Sequence, residues 1–235
     1  MLKKIAVIRP DTGLETILNK LNVDIIYTKC NPLLQKKLAD HPDMNMCLIA
    51  NDRLVINTFQ HSVAEMLKTL RPQLKIVLTD LPNSADYPKD VSLNAVFISN
   101  KILALKSSLS PEVLNIAQKE GYEIINCRQG YTHCSVLKIS EKAAITGDRG
   151  LYSIIRSMGV DTLLVNNDRI LLDGYGNGFI GGCGFMLDEN RLLLNGSLKF
   201  HSDGEAITEF CNHHGVLIIE ADEKPLTDIG GGFVF

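Results

Sequence analysis

The sequence predicts an α/β fold, a five-bladed α/β propeller with pseudo-fivefold repeats, closed by joining the N- and C-terminal strands. Three observations predict it. A helix that runs directly into a β-branched strand recurs five times. A hairpin with a polar turn precedes every helix but the first. The start of the chain lacks such a hairpin, and its end carries one leftover strand, so the two ends complete one unit. A unit of strand, turn, strand, helix and strand with a period of about 40–50 residues lies in the range of repeats and propeller blades. The other arrangement is an open sheet of unrelated βαβ segments. The complementary ends favour the ring, which also leaves no unpaired terminal strand.

The elements follow from local signals. Lys4–Ile8 reads as the first strand. Thr12 to Leu21 reads as a helix capped by Asp11 or Thr12, followed by the strand Val23–Tyr27. Ser62 to Leu70 is stopped by Pro72 and leads to Leu74–Leu78. Ser110-Pro111 opens a third helix with Pro at its first position, and Gly121 ends it before Tyr122–Ile125. Asp148 caps a fourth, ending at Gly159 before Val160–Val165. Asp203 caps a fifth, ending at Gly215 before Val216–Ile219. The hairpins turn at Asn51-Asp52, Ser99-Asn100, Ser140-Glu141 and Asp188-Glu189-Asn190. Gly231–Phe235 is the leftover strand. The glycine-dense Tyr175–Gly182 allows close backbone approach, to a neighbouring blade or to a ligand.

Residues 1–235 read as one domain. The 45% hydrophobic and 22% charged composition is that of an ordinary globular protein. A net charge of -3 gives no electrostatic case for nucleic acid or an anionic membrane. No apolar run is long enough to span a bilayer, and the apolar stretch after Lys3-Lys4 is too short for a signal peptide. The six cysteines form no Cys-x-x-Cys pair, so reduced thiols and a cytoplasmic location are expected. No cofactor is expected. No metal is expected either: Cys127, His133 and Cys134 match no structural-zinc spacing. No Gly-x-Ser-x-Gly elbow is present for a serine hydrolase.

Two stretches carry chemistry-bearing residues, His41-Pro42-Asp43-Met44-Asn45-Met46-Cys47 and Gly130-Tyr131-Thr132-His133-Cys134. The ring of five split units, with these motifs, resembles the pentein fold. That superfamily holds arginine and agmatine deiminases, dimethylarginine dimethylaminohydrolase, glycine amidinotransferases and a non-catalytic ribosome anti-association factor. The first motif is similar to the family's His-x-Asp strand, and the second to its Gly-Gly-Gly-x-His-Cys segment. The resemblance implies an active site in the central channel. Cys134 would be the nucleophile and His41, two blades earlier, the general base. Asp43, Asn45, Asp228 and Cys183 would bind the substrate, a small guanidino compound. The chain departs from the pattern at its end, where Asp228–Phe235 contains no Cys. The site is therefore expected to be rotated around the ring, with Asp228-Ile229-Gly230-Gly231 in place of an acidic Glu-Gly-Gly segment.

The chemistry needs these residue types. Attack on a guanidinium carbon requires a thiolate, stabilised by a nearby cation or by the substrate itself. A proton carrier must serve the leaving amine, and carboxylates must hold the planar cation. Each residue also has a plain structural reading. Cys134 would begin a buried strand, His41 would sit in a loop before proline, and Asp43 and Asp228 would cap turns. His133 would face away from its neighbour Cys134. His201-Ser202-Asp203 reads as a helix N-cap, His213-His214 as a cationic helix end, and Asp148-Arg149 as a cap and a surface charge. Two functions follow: a cysteine-dependent hydrolase or transferase on a guanidino compound, or a non-catalytic protein that binds a small ligand or a protein partner.

Overall fold

The computed structural model describes residues 3–235. It contains five three-stranded sheets, each the same unit. The first comprises β1 (Ile5–Ile8), the crossover helix α1 (Thr12–Lys20) and the parallel strand β2 (Asp24–Tyr27). The single-turn helix α2 (Pro42–Asn45) leads into β3 (Met46–Ile49), which pairs with β4 (Arg53–Asn57). The helix α3 (His61–Leu70) then crosses to β5 (Lys75–Thr79). The next unit is β6 (Val96–Ile98), β7 (Lys101–Ala104), α4 (Pro111–Glu120) and β8 (Glu123–Asn126). A second single turn, α5 (Thr132–Ser135), opens β9 (Val136–Ser140), followed by β10 (Ala143–Thr146), α6 (Arg149–Ser157) and β11 (Asp161–Leu164). The last full unit is β12 (Gly184–Asp188), β13 (Arg191–Leu194), α7 (Gly204–His213) and β14 (Leu217–Glu220). The final strand β15 (Phe233–Val234) returns to pair antiparallel with β1, so the termini share one blade.

Burial explains the strand sequences. Each middle strand lies between an inner strand and an outer one and is buried along most of its length. It therefore reads as a continuous apolar run, such as Ile5-Ala6-Val7-Ile8 or Leu192-Leu193-Leu194. The outer strands β5, β8 and β14 keep one edge in solvent and mix polar with apolar residues.

Five apolar cores lie between successive blades. One packs Cys47 and Val55 against Ala95, Ile102 and Val113. The next joins Val96 and Leu103 to Val136, Leu151 and Ile155, and a third joins Leu137 and Ile145 to Leu194 and Ile207. The last two flank the shared terminal blade. Phe185 and Leu193 meet Ile8 and Leu14, while Val7 and Phe233 meet Met46 and Leu67. This succession returns to its start, which makes the arrangement a ring. Buried Arg71 donates to the Lys3 and Phe235 carbonyls and holds both ends of the chain in it.

The helix starts follow the sequence closely. The side chains of Asp11, Ser110 and Asp148 accept from the first-turn amides of their helices. Gly121, Gly159 and Gly215 are left-handed at helix ends, with φ of 73°, 79° and 70°. Three details differ. The first hairpin turns one residue early, with Ala50 and Asn51 both left-handed. Asp203 does not cap α7, because its carboxylate accepts from the Asn166 backbone and side chain. Cys134 does not begin a strand. It sits inside the helical turn α5, so His133 and Cys134 diverge by helical rather than strand geometry.

Candidate functional site

The segments that precede the five inner strands converge at one end of the ring. Asn94 ties three of them together. Its Nδ2 donates to the Asp43 carbonyl (3.1 Å) and to Cys134 Sγ (3.1 Å), and its Oδ1 accepts from the His133 amide (2.7 Å) and the Cys134 amide (3.3 Å). The Asp43 amide donates to the Gly230 carbonyl at 3.3 Å. Gly181 lies so close to α5 that a Cβ there would stand 2.4 Å from the His133 carbonyl oxygen and 2.6 Å from that of Cys134. The glycine-dense stretch thus serves contact between blades.

A cavity of about 240 Å³ opens above this layer. His41, Cys134 and Asp228 reach it from three different segments, under a wall that includes Tyr131, Leu172 and Phe179. Asp43 lies just beneath, fully buried, and accepts the Cys134 thiol hydrogen at 2.9 Å. The Asp228 carboxylate accepts from the amides of Phe179 (2.9 Å) and Gly230 (3.0 Å). The His41 Nδ1 is 3.9 Å from Asp228 Oδ1.

Asn45 and Cys183 do not line the cavity. Asn45 is a brace: its Nδ2 donates to the Ala39 and His41 carbonyls, both at 2.9 Å. The Cys183 thiol points to the Phe179 carbonyl at 3.2 Å. His133 faces the opposite side, a channel of about 650 Å³ lined by the inner strands, with its Nδ1 3.7 Å from Asp43 Oδ2. Cys127 turns its thiol to the Ile125 carbonyl and packs among Leu103, Val136 and Leu151, and it forms no ligand cluster with His133 and Cys134. Among the described residues, the one cluster with metal-ligand spacing is the surface group Asp161, His213 and His214.

The electrostatics of the site are acidic. Burial pushes the Asp228 carboxyl up to about 7, and the charge of Asp43 adds to the rise. Burial works the same way on Asp43, but the facing His133 and His41 imidazoles and the Cys134 thiol outweigh it and leave Asp43 below its usual range. One carboxyl of the pair therefore holds the charge and the other the proton near neutrality. Burial and the two carboxylates push the Cys134 thiol well above its usual range. His41 is pushed down to about 4, chiefly by burial, and is neutral at pH 7. Its tautomer follows from its neighbour. Arg9 Nη1 stands 3.0 Å from His41 Nε2, and a guanidinium only donates, so Nε2 accepts and the hydrogen is on Nδ1. In this arrangement His41 cannot take the thiol proton, because its lone pair is already used. The group placed to take it is Asp43.

Asn94 is the member of the site that motif reading missed. Its one local signal is its place two residues before β6, as Cys134 is two residues before β9. Gly182 also belongs to the site, since a Cβ there would stand 1.8 Å from Asp228 Oδ1. Gly182→Ala is expected to displace that carboxylate from both amides and to cost about 2 kcal/mol in chemical denaturation. A loss below about 0.5 kcal/mol would show that the Asp228 anchorage is not structural.

The ring of five three-stranded units has the pentein fold, a five-bladed α/β propeller. Solved structures show the same fold. An amidinotransferase from the saxitoxin biosynthetic pathway of Microseira wollei has a TM-score of 0.58 at 11% identity, over 95% of this chain and 78% of that one. A dimethylarginine dimethylaminohydrolase from Pseudomonas aeruginosa, complexed with citrulline, has a TM-score of 0.57 at 10% identity, over 99% and 97%. An agmatine deiminase from C. jejuni has a TM-score of 0.51 at 14% identity, over 93% and 76%. No curated protein matches the sequence. The chain belongs to the family of unknown function DUF6873, whose model matches residues 8–233.

Proposed function

We propose that the small cavity takes a small guanidinium or amidinium cation and that Cys134 attacks its central carbon. The observation that carries this reading is a thiol bonded to one buried carboxylate, with a second carboxylate and an imidazole on the same small cavity. Such a cluster has excess negative charge and no free cation, so a cationic ligand is what would complete it. Among its solved neighbours one is an agmatine deiminase, and a dimethylarginine dimethylaminohydrolase is complexed with citrulline, whose neutral ureido group is what hydrolysis of a guanidinium leaves.

The cation would also supply what the resting site lacks. Its positive charge beside Cys134 stabilises the thiolate, and Asp43 accepts the thiol proton. As the S–C bond forms and a C–N bond breaks, the leaving nitrogen takes a proton from Asp43 or Asp228. Water then attacks the sulfur-bound carbon and the S–C bond breaks, with a proton returned to the thiolate. Net, a guanidinium and water become a urea and an ammonium; an amine in place of water would give amidino transfer. His41 holds Arg9 on one side and faces Asp228 with Nδ1–H on the other.

Chloroacetamidine tests this. It is an amidinium with a thiol-reactive carbon, and chloroacetamide is its neutral counterpart. The amidine is expected to modify Cys134 at least about tenfold faster than the amide, read by intact mass and peptide mapping, with the modification lost in Cys134→Ser. Preferential labelling of exposed Cys30 would overturn the covalent role.

The protonated resting thiol supports a second reading, in which the cation binds without a covalent step. Saturable thermal stabilisation by guanidinium compounds, with Cys134 left unmodified by the amidine, would select it.

A further inference from the structure

We infer that this cavity selects cations whose tail is apolar and carries no carboxylate; the inference rests on the cation-site reading above. The wall over the acidic floor is built from Leu38, Met44, Tyr131, Leu172, Tyr175 and Phe179. The Tyr131 and Phe179 rings lie nearly parallel, with centroids 6.1 Å apart and planes 25° apart, and such faces suit a delocalised cation or an apolar tail. The two hydroxyls in this wall are already engaged. Tyr131 donates to Asp90 Oδ2 at 2.6 Å, and Tyr175 pairs with Gln35.

Among the described residues, no lysine or arginine lines the cavity. The cations that approach its surroundings are committed elsewhere. Arg9 donates to His41 and lies 3.3 Å from Asp40, and Lys37 pairs with Asp173 on the loop that carries Leu172 and Tyr175. The carboxyl groups that remain at the site are Asp43, which holds the charge, Asp228 and, behind Tyr131, Asp90. A ligand carboxylate would enter without a cationic partner and face the charge of Asp43, which disfavours it in a small, largely apolar space. The cavity volume, about 240 Å³, lies below the ~300 Å³ at which drug-sized sites begin, so the preferred ligand is small.

Calorimetry with butylguanidine and guanidinobutyrate isolates the carboxylate, because the two share the guanidinium and a four-carbon chain. Butylguanidine is expected to bind at least about tenfold more tightly. Asn177→Arg, on the exposed loop at the cavity wall, supplies the missing cation and is expected to narrow that gap. Equal or tighter binding of guanidinobutyrate to the natural sequence would overturn the selectivity and leave the cation site standing. A gap that Asn177→Arg leaves unchanged would also overturn it, since the missing cation would not then be the cause. If neither compound binds, the cation site itself fails and the selectivity with it.

Discussion

Asn94→Ala is expected to lower stability by about 3 kcal/mol and the melting temperature by about 6–12 °C for a chain of this size. The side chain is 1% exposed and serves three blades at once. Its removal leaves the buried His133 and Cys134 amides without their acceptor, and the Asp43 carbonyl and Cys134 sulfur without their donor. Unpaired buried groups each cost roughly 1–3 kcal/mol, and partial relaxation of the small site keeps the total below their sum. The thiol should also become more mobile, so Cys134 should react faster with a neutral alkylating agent although the chain is less stable. A melting temperature within about 2 °C of the natural protein would show that the blades are held together without Asn94.

Asp228→Asn is expected to change the shape of the stability–pH curve. The carboxyl titrates at about 7 when folded, against an ordinary 3.8. Between these values the folded chain holds a proton that the unfolded chain has released, so this group's contribution to stability falls as pH rises through the window. His41 acts in the opposite sense. It titrates at about 4 when folded against an ordinary 6.5, the unfolded chain binds the extra proton, and stability rises with pH in that interval. In the natural protein the two contributions offset one another from about pH 4 to 6.5, and only the Asp228 decline remains toward pH 7. Asparagine removes the Asp228 contribution and exposes the His41 rise, on the order of 3 kcal/mol, or about 6–12 °C, between pH 4 and 6.5. Asparagine can accept only one of the Phe179 and Gly230 amides on an oxygen, which lowers the whole curve without bending it. Parallel melting-temperature curves for the two proteins from pH 4 to 7 would sink this account.

Much of the ring was legible because its signals are local. Pro111 after Ser110 and the left-handed Gly121 each act within one helical turn. The apolar run of a buried middle strand, as in Leu192-Leu193-Leu194, needs only its own blade to explain it. Asn51 and Asp52 are both good turn formers and predict the first hairpin turn between them, whereas the strand register moves it one residue earlier, to Ala50-Asn51. The position of Asp203 predicts a cap. Asn166, brought from a distant loop, took its carboxylate instead.

At the site, residue types were legible and relations were not. His41, Cys134 and Asp228 do reach one cavity, yet the lone pair that would make His41 a base is used by Arg9, which is 32 residues away in sequence. Asn94 belongs to no recognisable motif, and only the meeting of three blades makes it a bridge. The apolar run after Cys134 predicts a strand starting there, with His133 on its other face. The turn α5 instead places its thiol on the small cavity and His133 on the large channel, with Asp43 between them. Periodicity and capping are written within a few residues, so the repeat, the shared terminal blade and the chemical types near the channel can be read from the chain alone. Only the tertiary structure decided which groups share a cavity, which proton sits on which atom and which charge is left unpaired. Those depend on burial and on neighbours drawn from five separate blades.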